Sequence, residues 1–369
     1  MYSQQELDDA VASGVITAEA ANALRAHVQG ERSTAIPDEE QFRLITGFND
    51  IFVSIAAAIL LFAVGWIGQS IGQSTGIVIG GNGPSFVGPL AIAATSWGLA
   101  LFFTAKRRMA LPSILLLLSF VGGVFATTGL AVAQTVGEHA FDNNNLLGGA
   151  VVAVSGAVAA AAAWLHWRRF RVPITVAAGA ASVAAIAAGG VMAALGPNDP
   201  NTRNVILGVV LALGVGIFLF AMWWDGSDRA RLTRRSDVAF WLHLLAAPMI
   251  VHPVFTLLGL NDGHATVGEG VVVILLYVAL GITALAIDRR ALLVSALAYV
   301  LFAMQQLFRE FGAVELNVAL TALVIGSALL MLSAFWHQAR GVIVRPLPES
   351  LRARLPILDR TVAATPQAA

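Results

Sequence analysis

The segment SDVAFWLHLLAAPMIVHP, residues 236–253, sets two histidines and two prolines in an otherwise apolar run. Imidazole titrates near neutrality, so His243 and His252 could relay a proton, contact a solute, ligate a metal or haem, or act as neutral packing groups. Nine residues separate them, a rotation of about 180° in a straight helix. Their rings therefore point to opposite faces, and a direct imidazole pair is not expected. Pro248 and Pro253 each remove a backbone donor and free the carbonyls of Leu244 and Met249. This predicts a broken outer half, beside a wet or protein-lined surface. Asp237, at the start of the same helix with Ser236 as its cap, reads as structural.

Other polar groups fall at the level of His252: Gln134, Glu138 and His139; Asp262, His264 and Glu269; and Gln305, Gln306, Arg309, Glu310 and Glu315. Together they could line a vestibule. Each also has a plain reading, since Glu269 and Glu315 begin helices, where a carboxylate suits the dipole, and loop charges are solvated. Gln305 and Gln306 lie within a span. The candidate lining of a solute path is therefore His243, His252, Gln305, Gln306, Gln134 and Glu269. No HxxxH or HExxH spacing supports a metal, so no metal is expected. Phosphate loops, dinucleotide fingerprints and GxSxG elbows are missing too, so neither a cofactor nor a catalytic set is expected. Asp50 is the one acid well inside the edge of a span.

What holds these residues is a membrane. Of 369 residues, 57% are hydrophobic and 12% charged, and mean hydropathy is +0.77; a soluble surface needs far more charge. The lipid bilayer is thus the first partner. Net charge is zero, which gives no field for nucleic acid. With no cysteine, disulfides and thiolate chemistry are excluded. No basic segment followed by an apolar core precedes residue 47, so no cleavable signal is expected.

Crossing about 30 Å of hydrocarbon takes about 20 helical residues. Ten windows qualify, near 48–68, 86–104, 111–134, 146–167, 173–195, 203–224, 237–258, 269–287, 291–308 and 315–336. The expected fold class is all-α: a polytopic helical bundle of about ten transmembrane helices. Basic residues test this count, because positive loops stay cytoplasmic. They follow spans two, four, six and eight, and with those near the termini 20 of 22 Lys and Arg residues fall on one side. Both termini are therefore expected in the cytoplasm. Trp164, Trp167, Trp223, Trp224, Trp241 and Trp336 fall at those helix ends as interface anchors.

Residues 1–47 differ, with eight acidic and three basic residues. ELDDAVASGVITAEAANALRAHV reads as a cytoplasmic helical hairpin: Gly14 closes the first helix, Thr17 caps the second, and Ile16, Ala20, Ala23, Leu24 and Val28 form an apolar side. So small a core needs something to dock on, which makes residues 1–36 the contact for a cytoplasmic protein, a second copy in a homo-oligomer, or the membrane surface. The transmembrane domain occupies 48–336, and 337–369 reads as a disordered cytoplasmic tail. Gly68, Gly72, Gly76 and Gly80 recur every fourth residue, and the charge-free 68–85 segment is either a flexible exposed loop or a re-entrant turn. Basic clusters centred on Arg107, Arg168, Arg234 and Arg289 suggest hairpins added in series.

The pattern LDDAVASGVITAEAANALRAHV, then a polar linker, then IFVSIAAAILLFAVGWIG, resembles the start of the bacterial membrane proteins grouped as domain-of-unknown-function family 2157. The likeness covers roughly the first 70 residues and the many-helix layout. It implies a multi-spanning membrane protein and no particular activity. The residues themselves suggest a permease-like protein for a small solute or ion, or a non-catalytic scaffold or envelope sensor working through the hairpin; a membrane-embedded enzyme acting on lipid through His and Glu groups comes third, because no acid and base spacing specifies that chemistry.

Overall fold

An apolar segment in lipid must satisfy its own backbone, which a helix does residue by residue. In the computed structural model every secondary-structure element among the described residues is helical, and no strand occurs among them. The structure describes residues 10–24, 48–142, 144–195, 201–229, 231, 233–259, 267–290, 292, 293, 297, 301 and 317–358. The chain divides into two units, Met1–Phe42 with Asp359–Ala369, and Arg43–Leu358.

In the larger unit α1 is Phe48–Ser74, α2 Val87–Phe103, α3 Ala110–Val136, α4 Asn145–Phe170, α5 Ile174–Ala194 and α6 Thr202–Gly226. There follow α7 Arg234–Leu257, α8 Val267–Ile287, α9 Asn317–Ala334, α10 Trp336–Val344 and α11 Glu349–Arg352. Six of these, α1 and α3 to α7, are long and apolar enough to cross a membrane. Shorter apolar stretches cover Val87–Phe103, Ile274–Ile287 and Leu323–Ala334. The ninth window, 291–308, falls largely outside the described residues.

Short turns make antiparallel neighbours of α2 and α3, α4 and α5, and α6 and α7. Close approach is set by small side chains: a Cβ added to Gly189 of α5 would lie 2.6 Å from the Ala153 backbone nitrogen of α4. Backbone-to-backbone packing of this kind replaces the hydrophobic drive that lipid cannot supply.

The turns differ by end. At one end Gly76, Gly80, Gly81, Gly137 and Gly259 adopt positive φ. At the other, the left-handed positions are charged: Arg108 (54°), Arg171 (56°), Arg231 (55°) and Asp288 (57°). These four fall after α2, α4, α6 and α8, so the hairpins expected in series share one turn design. The 75–86 connection is fastened: Gln69 donates from Nε2 to Gly83 O (3.0 Å) and accepts from Ser85 N (2.8 Å).

Several local expectations change. Pro248 and Pro253 lie inside an uninterrupted α7, not at a break. Its N-cap is Thr233, whose side chain accepts from Arg235 N, and Ser236 is already helical. The tail expected to be disordered from residue 337 forms α10 and α11, and Leu355 is buried. In the smaller unit Gly14 takes φ +72° and Thr17 Oγ1 accepts from Ala20 N at 3.1 Å. Among the described residues there Ala21 is buried, whereas Ala20, Ala23 and Leu24 are exposed.

Candidate functional site

Charged residues collect where α6, α7, α8 and α10 end together. The last turn of α6 carries Asp225. The following turn is folded by Asp228, whose Oδ2 accepts from Thr233 N (2.8 Å) and Thr233 Oγ1 (2.7 Å). Arg231, left-handed within that turn, is thereby aimed back at the bundle. Beyond α8, Asp288 is also left-handed and Arg289 N donates to Ala284 O (2.9 Å), which turns the Arg289 side chain inward.

Two knots result. In the first, Arg289 donates to Asp225 through Nε (3.1 Å to Oδ2) and Nη2 (2.5 Å to Oδ1), and Nη2 also reaches Ser236 O (3.1 Å). His243 Nε2 stands 3.3 Å from Asp225 Oδ2, but neither ring nitrogen makes an aligned hydrogen bond. Its ring meets Phe218 edge-on, with centroids 5.3 Å apart. Asp225, Arg289 and His243 are 2%, 2% and 0% exposed.

In the second knot Asp288 accepts from Arg231 Nη1 (2.9 Å) and from Trp336 Nε1 (2.8 Å), with Arg340 Nε 3.9 Å away. Arg231 Nη2 also donates to the carbonyls of Ile287 and Asp288 and lies 4.0 Å from Asp225, which joins the knots. Burial alone would raise the Asp288 carboxyl, but Arg231, Arg340 and the Trp336 N–H outweigh it and hold the group below the usual carboxylate range.

A strap covers this end. Arg340 donates to the carbonyls of Pro356 (2.7 Å) and Ile357 (3.2 Å), and Arg229 to those of Leu355 (2.9 Å) and Arg352 (3.1 Å). Leu355 then packs in one cluster with Ile287, Leu292, Trp336 and Val344.

A buried ion pair adds little net stability, yet removing one partner strands a charge and is severely destabilising. Such a knot therefore acts as a tie that fixes how four helix ends meet. It offers no nucleophile next to a base, and no group of three metal-ligating side chains occurs among the described residues.

Of the expected path residues that are described, only His243 lies in this cluster. His243 is buried in the first knot, while His252 is exposed on the same helix, as opposite faces require. Gln134 sits in the last turn of α3 with a buried Oε1. Glu269 lies in the first turn of α8, and Gln305 and Gln306 fall outside the described residues. An open groove along α1 and α2 is lined by Phe62, Trp66, Gln69 and Ile92, none of them expected path residues. Trp164 and Trp223 are 58% and 66% exposed, as anchors should be, but Trp336 is 3% exposed and works as a hydrogen-bond donor.

Sequence reasoning missed Asp225 because the sixth window ended at residue 224, and α6 runs on to Gly226. The signal was the acid directly after Trp223 and Trp224. It also passed over His166, fully buried with Nδ1 3.3 Å from Thr175 Oγ1. Comparison with family models, with curated proteins and with solved structures finds no match to this chain.

Proposed function

We propose that the chain is a bacterial inner-membrane protein that crosses ten times with both termini in the cytoplasm. In this reading it is a permease-like carrier of a small solute or ion, and the Asp225–Arg289 knot closes its cytoplasmic end. One observation carries this: ionisable Asp225 and His243 are buried inside apolar helices beside Arg289. Charge inside a span is costly and marks function by default. A bidentate pair bridging separate helices is also a two-state element, which a solute could bias between closed and parted forms. The likeness to family 2157 belongs to the same proposal and is in keeping with a multi-spanning body.

Vesicles containing the purified protein test the gate. Asp225→Asn should raise passive flux of potassium or chloride by at least about tenfold over the wild type. His243→Gln, which keeps the Asp225–Arg289 pair, should stay tight. Unchanged flux in an Asp225→Asn protein of normal helical content would remove the gate. Topology has its own test: single cysteines at Asn143 and Ala230, in a chain without native cysteine, should label from opposite sides.

A second reading rests on the hairpin, where Val15 is 76% and Leu24 39% exposed. Apolar side chains displayed on so small a unit suit a docking partner or a second copy. Deleting residues 1–36 should then abolish that association while the body still inserts; an undiminished complex would end this reading.

A further inference from the structure

The turns after α2 and α4 are as basic as the knotted end but contain no acidic residue of their own. Between residues 51 and 198 the only acids are Glu138 and Asp142, and both lie in the connection between α3 and α4, at the glycine-rich end. Arg107, Arg108, Arg168, Arg169 and Arg171 are all exposed. Their recorded partners are rings: Arg107 over Phe102 (5.5 Å), Arg168 over Trp164 (5.0 Å), Arg169 over Phe170 (5.7 Å) and Arg171 over Trp167 (5.9 Å). A guanidinium lying on a ring uses its face and keeps its in-plane N–H groups free, in the fork that matches phosphate oxygens.

Packing brings the two turns together. Phe170, at the end of α4, joins a cluster with Phe103, Ala100 and Leu116, and its ring meets Trp97 of α2 at 5.2 Å. Immediately inward of the arginines, the surface turns apolar and open: Leu101, Phe102, Trp164 and Leu165 are 40%, 43%, 58% and 49% exposed. A soluble phosphate or a nucleic acid has no use for that wall. A lipid does, because its acyl chains lie along it when the headgroup meets the arginines.

We propose that this face, formed by the ends of α2 and α4, binds the phosphates of anionic phospholipids, with the arginines as phosphate ligands and Trp164 at the headgroup boundary. The site is independent of any transport activity and requires only that the helices sit in a bilayer.

The full-length protein in phosphatidylcholine vesicles, carrying a trace of spin-labelled phosphatidylglycerol or spin-labelled phosphatidylcholine, provides the test. The immobilised fraction should favour the anionic lipid by about fivefold, and Arg107→Gln, Arg168→Gln, Arg171→Gln combined should bring the preference close to one. The matching triple lysine variant, which keeps the charge, should retain it, and so should Arg203→Gln at the opposite end. Millimolar inorganic phosphate at constant ionic strength should not displace the lipid. No preference in the wild type, a preference that survives the glutamine variant, its loss in the lysine variant, or displacement by free phosphate would each overturn the proposal.

Discussion

Two sets of arginines stand at the same end of the helices and face opposite ways. After α6 and α8, and along α10, Arg231, Arg289 and Arg340 point inward and are paired with Asp225 and Asp288 or with carbonyls. After α2 and α4, Arg107, Arg168 and Arg171 point outward and rest on aromatic rings. The turn backbone does not separate them, because both sets include left-handed charged residues. The acids do. A guanidinium enters an apolar interior only with an anion to receive it, and Asp225 and Asp288 supply that anion to Arg289 and Arg231. Position along the chain thus says which charges tie helices together and which are left for the surroundings.

The sharpest way to break the contrast is to remove one acid. Asp225→Asn should destabilise the fold by about 3–5 kcal/mol, because Arg289 stays buried without its partner. Arg168→Gln, with no carboxylate partner to lose, should change stability by less than about 0.5 kcal/mol. Unfolding in mild detergent, followed by loss of helical signal, measures both. Joint replacement Asp225→Leu with Arg289→Met should recover most of the loss, since an apolar pair costs nothing to bury. Equal effects at Asp225 and Arg168 would erase the distinction.

Arg231→Gly comes next. It deletes the ion pair to Asp288 and two hydrogen bonds to carbonyls, while relieving a left-handed backbone worth about 1 kcal/mol. Charge-assisted bonds at about 1.5–3 kcal/mol outweigh that relief, so a net loss is expected in the same unfolding measurement. A gain would show that the second knot holds nothing.

Asp288 gives the comparison a pH signature. Against the opposing effect of burial, Arg231, Arg340 and the Trp336 N–H hold its folded carboxyl below the usual carboxylate range. A depressed carboxylate contributes stability that is fully present above the unfolded pKa and is lost as pH falls through the folded one. The unfolding midpoint should therefore drop as pH is lowered below about 4, and Asp288→Asn should start lower and respond less in that window. Parallel pH curves for the two proteins would refute the assignment.

How much of this was legible follows from the same physics. Apolar length announced the helices, because a span must bond its own backbone, and nine of the ten expected windows coincide with α1 to α9. The opposition of His243 and His252 followed from helical rotation alone. The knots did not, since they form between turns some 60 residues apart, Arg231 with Asp288 and Asp225 with Arg289, and no local period encodes that meeting. Prolines misled for a related reason. Pro248 and Pro253 remove donors, yet α7 packs on α6 and α5 closely enough to continue through them. Trp336 looked like an anchor by its place in the sequence and became a donor because Asp288 arrives beside it.

The smallest effect separates backbone from charge. Arg171 closes α4 at φ 56°, its N–H donating to Trp167 O (3.0 Å) as the C-cap, and among the described residues its guanidinium meets the Trp167 ring and no carboxylate. Arg171→Gly keeps that N–H and removes the left-handed penalty of about 1 kcal/mol. Part of the relief is offset by the greater freedom of glycine in the unfolded chain and by the lost contact with Trp167. The expected result is a gain of a few tenths of a kcal/mol up to about 1 kcal/mol, opposite in sign to Arg231→Gly at an equivalent turn. If Arg171→Gly instead destabilised as strongly as Arg231→Gly, the outward arginines would be structural ties like the inward ones. With the expected gain, the arginine at this turn is held there at a small cost in stability, and what it offers is a cation at the edge of the bilayer.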